Sequence, residues 1–213
     1  MIKVFPPKSI KSKKEVDFYP EISTYFQEYM QSDFDSFSSS KIKVYFTHTM
    51  TLPKGLKKII FDNNLCIDSL TEFAEKAPEL FLDIFGIVTD GINFRLVILE
   101  IKYGKVVGLT ELSQLVGYSM VSSSTYGFLI NVDGQTSKIL KDILSTNHQV
   151  TDIVTEYNGF VLHHYFNVME WDSLSKNIRY TNYGEINSID KLCQYLMTDL
   201  QLDEVCQKID SER

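Results

Sequence analysis

Apolar residues recur along this chain at two spacings, and the alternation between them divides it into helices and strands. From Glu21 to about Gln31, the positions Ile22, Tyr25, Phe26 and Met30 fall on one face of a helix. Lys41–Thr47 instead alternates Ile42, Val44 and Phe46 against Lys41, Lys43 and Tyr45, the pattern of a half-buried strand. Ser36–Ser40 between them reads as a loop. Pro53–Lys57 predicts a short helix or turn, and the apolar run Lys58–Asp62 a strand. A helix follows from Asp68 or Ser69 to about Lys76; Ser69 and Glu72 have capping-box spacing, and Pro78 stops it.

Leu80–Val88 and Phe94–Tyr103 are rich in Phe, Ile, Val and Leu around Thr89-Asp90-Gly91, which predicts a hairpin. Leu109–Val121 is helical by its spacing, and Tyr126–Val132 is a buried strand. A helix at about Ser137–Leu144, strands at Thr151–Tyr157 and Gly159–Val168, and a helix from about Ser188 to Lys208 complete the order. Residues 1–20, with Pro6, Pro7, Pro20 and Lys8, Lys11, Lys13 and Lys14, read as a basic, irregular arm, leaving 21–213 as a single domain. Helix, strand, strand, helix, strand in the middle of the chain predicts an α/β fold, a central mixed β-sheet flanked by helices.

Composition leaves this picture in place. With 44% hydrophobic and 23% charged residues, the chain has an ordinary globular make-up, which argues against disorder, collagen-like repeats and coiled coils. Charge changes the picture more. The net −7 conceals ten lysines against six acids in residues 1–60, and eleven basic against twenty-two acidic residues in the remainder. A basic front on an acidic body is compatible with nucleic acid as partner, and Lys41, Lys43, Lys54, Lys57 and Lys58 are the candidates to grip backbone phosphates. Cys66, Cys193 and Cys206 lack CxxC spacing, so neither a zinc ribbon nor a disulfide framework is indicated. With no long apolar run, the sequence predicts a soluble, intracellular protein without a membrane partner.

The candidate chemistry sits on the hairpin. Leu96-Val97-Ile98-Leu99 reads as a strand buried on both faces, yet it runs into Glu100 and Lys102, whose spacing of two puts them on one face. Asp83 lies between Leu82 and Ile84 on the partner strand, and pairing through the Asp90-Gly91 turn brings it beside Glu100. Such a trio reads either as a buried ion pair with a leftover acid or as a metal site. Carboxylates are hard oxygen donors suited to Mg²⁺ or Mn²⁺, and a lysine beside them can orient water or stabilise charge on a phosphate.

Asp83, sixteen intervening residues and Glu100-x-Lys102 resemble the signature of the PD-(D/E)xK nuclease superfamily. Gln114-Leu115-Val116-Gly117-Tyr118 resembles the QxxxY helix motif of its RecB-like branches. The resemblance covers about residues 67–132 and departs in one place, Leu82 standing where the motif's proline would be. It implies a restriction-endonuclease-like core and a Mg²⁺-dependent nuclease in which Asp83, Glu100 and the Ile101 backbone carbonyl hold the metal. Lys102 would help activate water, with Gln114 and Tyr118 in support. An acid on a preceding helix would complete the set: Glu72 or Glu75, with Glu28 a more distant candidate. DNA is the expected substrate, a homodimer the expected assembly, and a structure-specific endonuclease such as a Holliday-junction resolvase fits the chain's size. The alternative is a non-catalytic nucleic-acid-binding or interaction module that keeps the fold.

Overall fold

Phe81–Thr89 (β2) and Phe94–Tyr103 (β3) form the antiparallel hairpin at the centre of the sheet, in the register Ile84↔Leu99 to Thr89↔Phe94. The computed structural model describes residues 13–37, 41–157, 160–181 and 183–211. At the hairpin turn, Asp90 Oδ1 accepts from the backbone N–H groups of Ile92 and Asn93, and the Thr89 hydroxyl donates to the Asn93 carbonyl. Lys43–Thr51 (β1) pairs antiparallel with β2 on one side. On the other, Tyr126–Val132 (β5) lies parallel to β3, with Leu109–Ser122 (α4) as the crossover helix.

The mixed sheet continues through Phe160–Asp172 (β8), parallel to β5, to Asp152–Tyr157 (β7) at the edge, while Asn177–Arg179 (β9) pairs with β8. Two short strands, Val106–Val107 (β4) and Gln135–Thr136 (β6), pair separately. Neither these nor β9 has a pattern long enough to be read from sequence.

Both faces of the sheet are buried. On one, Tyr19–Ser36 (α1) packs Ile22, Phe26, Met30 and Phe34, all fully buried at helical spacing, together with Ile189–Ser211 (α6). The opposite core takes Leu52–Asp62 (α2), Asp68–Lys76 (α3), α4 and Lys138–Thr146 (α5). Ser137 caps α5 by accepting from the Leu140 N–H. An α/β architecture with a central mixed sheet between helices is therefore what the structure shows.

Several local expectations are corrected. The strand expected over Lys58–Asp62 is the second half of α2, because Leu52, Leu56 and Ile59 recur at helical spacing and are buried on one face. A run of lysines and isoleucines satisfies either period; the sheet-facing stripe selects the helix. The Ser69–Glu72 capping box does not form: Ile67 is the N-cap, and the Glu72 carboxylate accepts from Lys76 at 2.5 Å one turn later. The part of the expected arm that the structure describes is built into the fold. Glu15–Phe18 forms a 3₁₀ turn leading into α1, which begins at Tyr19 rather than Glu21, and Phe18 and Tyr19 are buried. Residues 1–12, like Ser38–Ser40 of the expected loop, lie outside the described residues.

Candidate functional site

β2 and β3 bring Asp83 and Glu100 together one step beyond their last pair, Ile84↔Leu99. Here the strand's alternation breaks: Leu82 and Ile84, two residues apart, belong to opposite cores. Across the sheet, β1 pairs His48 with Ile84 and Met50 with Leu82, so Thr49 stands opposite Asp83, and its φ of 59° is a strained value for a β-branched residue. The local distortion coincides with the acid.

Asp83 is held from two directions. Its Oδ1 accepts from the Tyr19 hydroxyl at 2.6 Å, and its Oδ2 accepts from the Ile101 N–H at 2.9 Å. Glu100 is 2% exposed and Lys102 7%, and the Lys102 ammonium donates directly to Glu100 Oε1. Glu15 completes the group, accepting weakly from the Tyr19 hydroxyl at 3.4 Å and from the Tyr103 N–H at 3.3 Å. Three acids thus share one lysine at the carboxyl end of an apolar strand.

The electrostatics follow from that imbalance. Burial, and then the Asp83 carboxylate, push the Glu100 carboxyl up to about 7 against the opposing pull of Lys102. Burial alone would lower Lys102, but its hydrogen bond to Glu100 and the Glu100, Asp83 and Glu15 charges hold it above its ordinary value. Burial and the Asp83 hydrogen bond keep Tyr19 far above the usual phenol range, as a fixed donor. This is excess negative charge in a poorly solvated place, from hard oxygen donors, and it fits a divalent cation. Asp83 and Glu100 are the residues that could hold one, while Glu15 adds negative charge to the surroundings.

The remaining candidates are dispersed. Gln114 and Tyr118 occupy one face of α4 as expected, but the Gln114 amide donates to the Tyr118 hydroxyl at 2.9 Å, and among the described residues neither is hydrogen-bonded to Asp83, Glu100 or Lys102. The Ile101 N–H serves Asp83 and its side chain is buried in the α1-side core. Glu72 and Glu75 are exposed on α3, Glu72 paired with Lys76. Glu28 lines a separate surface cavity with Tyr25, Tyr29, Asp33 and Asp190. The acid nearest the trio is Glu15 instead, in the stretch read as an arm. Its proximity to Phe18 and Tyr19, apolar residues ending the lysine run, was the available signal.

The lysines divide into two groups. Lys54, Lys57 and Lys58 are exposed on α2, which starts where β1 ends beside the Asp83 end of the hairpin. Lys41 and Lys43 are exposed at the other end of β1, where Lys43 is opposite Thr89 and 3.9 Å from Asp35. His164 is buried, its ring nitrogens engaged by Thr155 and the Ser124 carbonyl, while His163 pairs at the surface with Asp152. Cys66 and Cys193 are free thiols; the Cys206 side chain lies outside the described residues. Among the described residues, no helix is long and apolar enough to cross a membrane. Compared in turn with protein families, curated proteins and solved structures, the chain matches none of them.

Proposed function

We propose that this chain is a divalent-metal-dependent nuclease of the PD-(D/E)xK type, hydrolysing DNA phosphodiester bonds. The observation that carries the reading is the under-neutralised cluster of Asp83, Glu100 and Glu15 around Lys102, at the end of a hairpin whose strands are mostly apolar. Support comes from the element order, in which α2 and α3 lie between β1 and the β2–β3 hairpin, and α4 then leads to β5, parallel to β3.

Asp83 and Glu100 would hold Mg²⁺, or Mn²⁺ in its place, and the bound ion would supply Lewis acidity and lower the pKa of its water. Everything else is the work of the chain. The Tyr19 hydroxyl and the Ile101 N–H orient Asp83. Lys102 provides an ammonium with three donors, placed to orient the attacking water and to offset charge on the phosphate as the bond breaks. Lys54, Lys57 and Lys58 contact backbone phosphates beside the site. With three arginines in the whole sequence, base reading is not a feature of the proposal.

The test is a panel of single-stranded, linear duplex, hairpin and four-way-junction DNAs with and without Mg²⁺, alongside a solution mass. Cleavage of at least one substrate in Mg²⁺ is the expected outcome, and a dimer with paired cuts in the junction would identify a resolvase. No cleavage of any of them in Mg²⁺ or Mn²⁺ would reject the reading.

A second reading, a non-cleaving nucleic-acid-binding or interaction module, is favoured by the direct Lys102–Glu100 contact. Among the described residues, moreover, no three His, Cys, Asp or Glu side chains are gathered as a ready metal cage. Titration separates the two. The folded chain keeps a proton on Glu100 between its ordinary 4.5 and about 7, where the unfolded chain has lost it. Metal-free stability therefore falls as pH rises through that window. A cation that needs the ionised carboxylate stabilises more above the window than within it. Mg²⁺ should raise the Tm by a few degrees at pH 8, at about 2–4 °C per kcal/mol for a chain of this size, and by less at pH 5.5. No Mg²⁺ shift at either pH supports the non-cleaving module.

A further inference from the structure

Asn131 on β5 is 0% exposed, yet neither its Oδ1 nor its Nδ2 has a hydrogen-bond partner among the described residues. A buried polar atom left without a partner destabilises the fold, so such a site calls for a reason. Asn131 stands next to the candidate site. The parallel registers set Lys102 beside Asn131 and Asn131 beside Glu170. Ile98, Leu129 and Val168, each two or four residues earlier on its strand, belong to the core under α2–α5, so the three polar side chains leave that same face. Neighbouring strands are about 4.8 Å apart, which puts the Asn131 amide within reach of the flexible lysine. The amide oxygen also lies close against the backbone just after β5: a Cβ at Gly134 would lie 2.1 Å from Asn131 Oδ1.

Lys102 spends one of its donors on Glu100 Oε1. While it does, one lone pair of that oxygen is committed and the ammonium competes with any cation for the carboxylate. We infer that Asn131 Oδ1 is a second seat for the Lys102 ammonium, so that Lys102 can leave Glu100 without being stranded in the sheet. Asn131 is then a positioning residue that frees Glu100 for a divalent cation while keeping the lysine's charge at the site. The inference rests on the nuclease reading and adds to it a residue on a third strand.

Calorimetric Mg²⁺ titration of the full chain tests it with Asn131→Leu in two backgrounds. With Lys102 present, the change should weaken Mg²⁺ binding about 10–100-fold, the usual loss for a partner behind a metal ligand. In the Lys102→Met background it should change nothing, because no ammonium competes for Glu100. Equal losses in both backgrounds, or none in either, would overturn the inference; Asn131 would then hold an ordered water or serve packing alone.

A second arm needs no metal. In Glu100→Leu the ammonium has lost its carboxylate, so adding Asn131→Leu should lower the metal-free Tm by about 2–4 °C. In the wild-type background the same change should leave the Tm level or raise it, since it removes two unpaired polar atoms. Identical shifts in both backgrounds refute the second seat. A wild-type chain that gives no Mg²⁺ heat counts against the nuclease reading, and the thermal arm then decides the role of Asn131 on its own.

Discussion

Asp83→Ala and Lys102→Ala are each expected to lower Mg²⁺-dependent DNA cleavage by about 10³-fold, with the fold retained. Loss of one fixed electrostatic contact to the reacting groups typically costs 10²–10³ in rate, and each of these residues also sets the position of a neighbour. Asp83 is tied to Tyr19 and Ile101, and Lys102 is in direct contact with Glu100. The variants should still fold because Glu100, already pushed up to about 7, can take a proton once Lys102 is gone. Circular dichroism and thermal unfolding check that. Lys102→Met separates the charge from the packing of the lysine stem. If it unfolds at higher temperature while cleaving at the wild-type rate, Lys102 is only a buried ion-pair partner and the catalytic assignment is lost.

Phe18→Ala should cost about 3–5 kcal/mol of stability, the usual range for emptying a buried phenylalanine site, and cleavage should fall with it. Phe18 is 1% exposed, and its ring lies 4.7 Å from that of Tyr103, immediately after the Glu100–Lys102 segment. That contact docks the 3₁₀ turn against β3, and the turn carries Glu15 while the next residue is Tyr19. Without it, both lose their hold beside Asp83. Phe34→Ala is the matching control: Phe34 is fully buried in the same core but lies near the other end of α1. It should cost similar stability while leaving Mg²⁺ affinity unchanged. Equal loss of Mg²⁺ affinity in both variants would mean that the turn has no particular role at the site.

Much of the fold was legible because its signals are local. The Phe-, Ile-, Val- and Leu-rich runs around Asp90-Gly91 predicted a hairpin whose second strand has the bounds read from the sequence, and the helical spacing of Leu109–Val121 placed the crossover. Hairpin register alone then brings Asp83 to Glu100. Short-range ambiguity explains the failures. Lys58–Asp62 contains apolar residues that suit either period, and only the surface offered by the sheet made them helical. Glu72 had two competing partners, Ser69 and Lys76, and the lysine one turn away prevailed.

The sequence by itself determined the two-period pattern, the central hairpin and the presence of two acids and a lysine at its end, since all of these depend on neighbours within a few residues or across one tight turn. Tertiary structure alone decided what surrounds them. Tyr19 reaches Asp83 from 64 residues away, and Asn131 lies beside Lys102 only because β5 returns parallel after a helix. The lysines expected to act together are separated by the length of β1. Such contacts follow from strand order and from which segment folds back over which edge, and no local spacing encodes either.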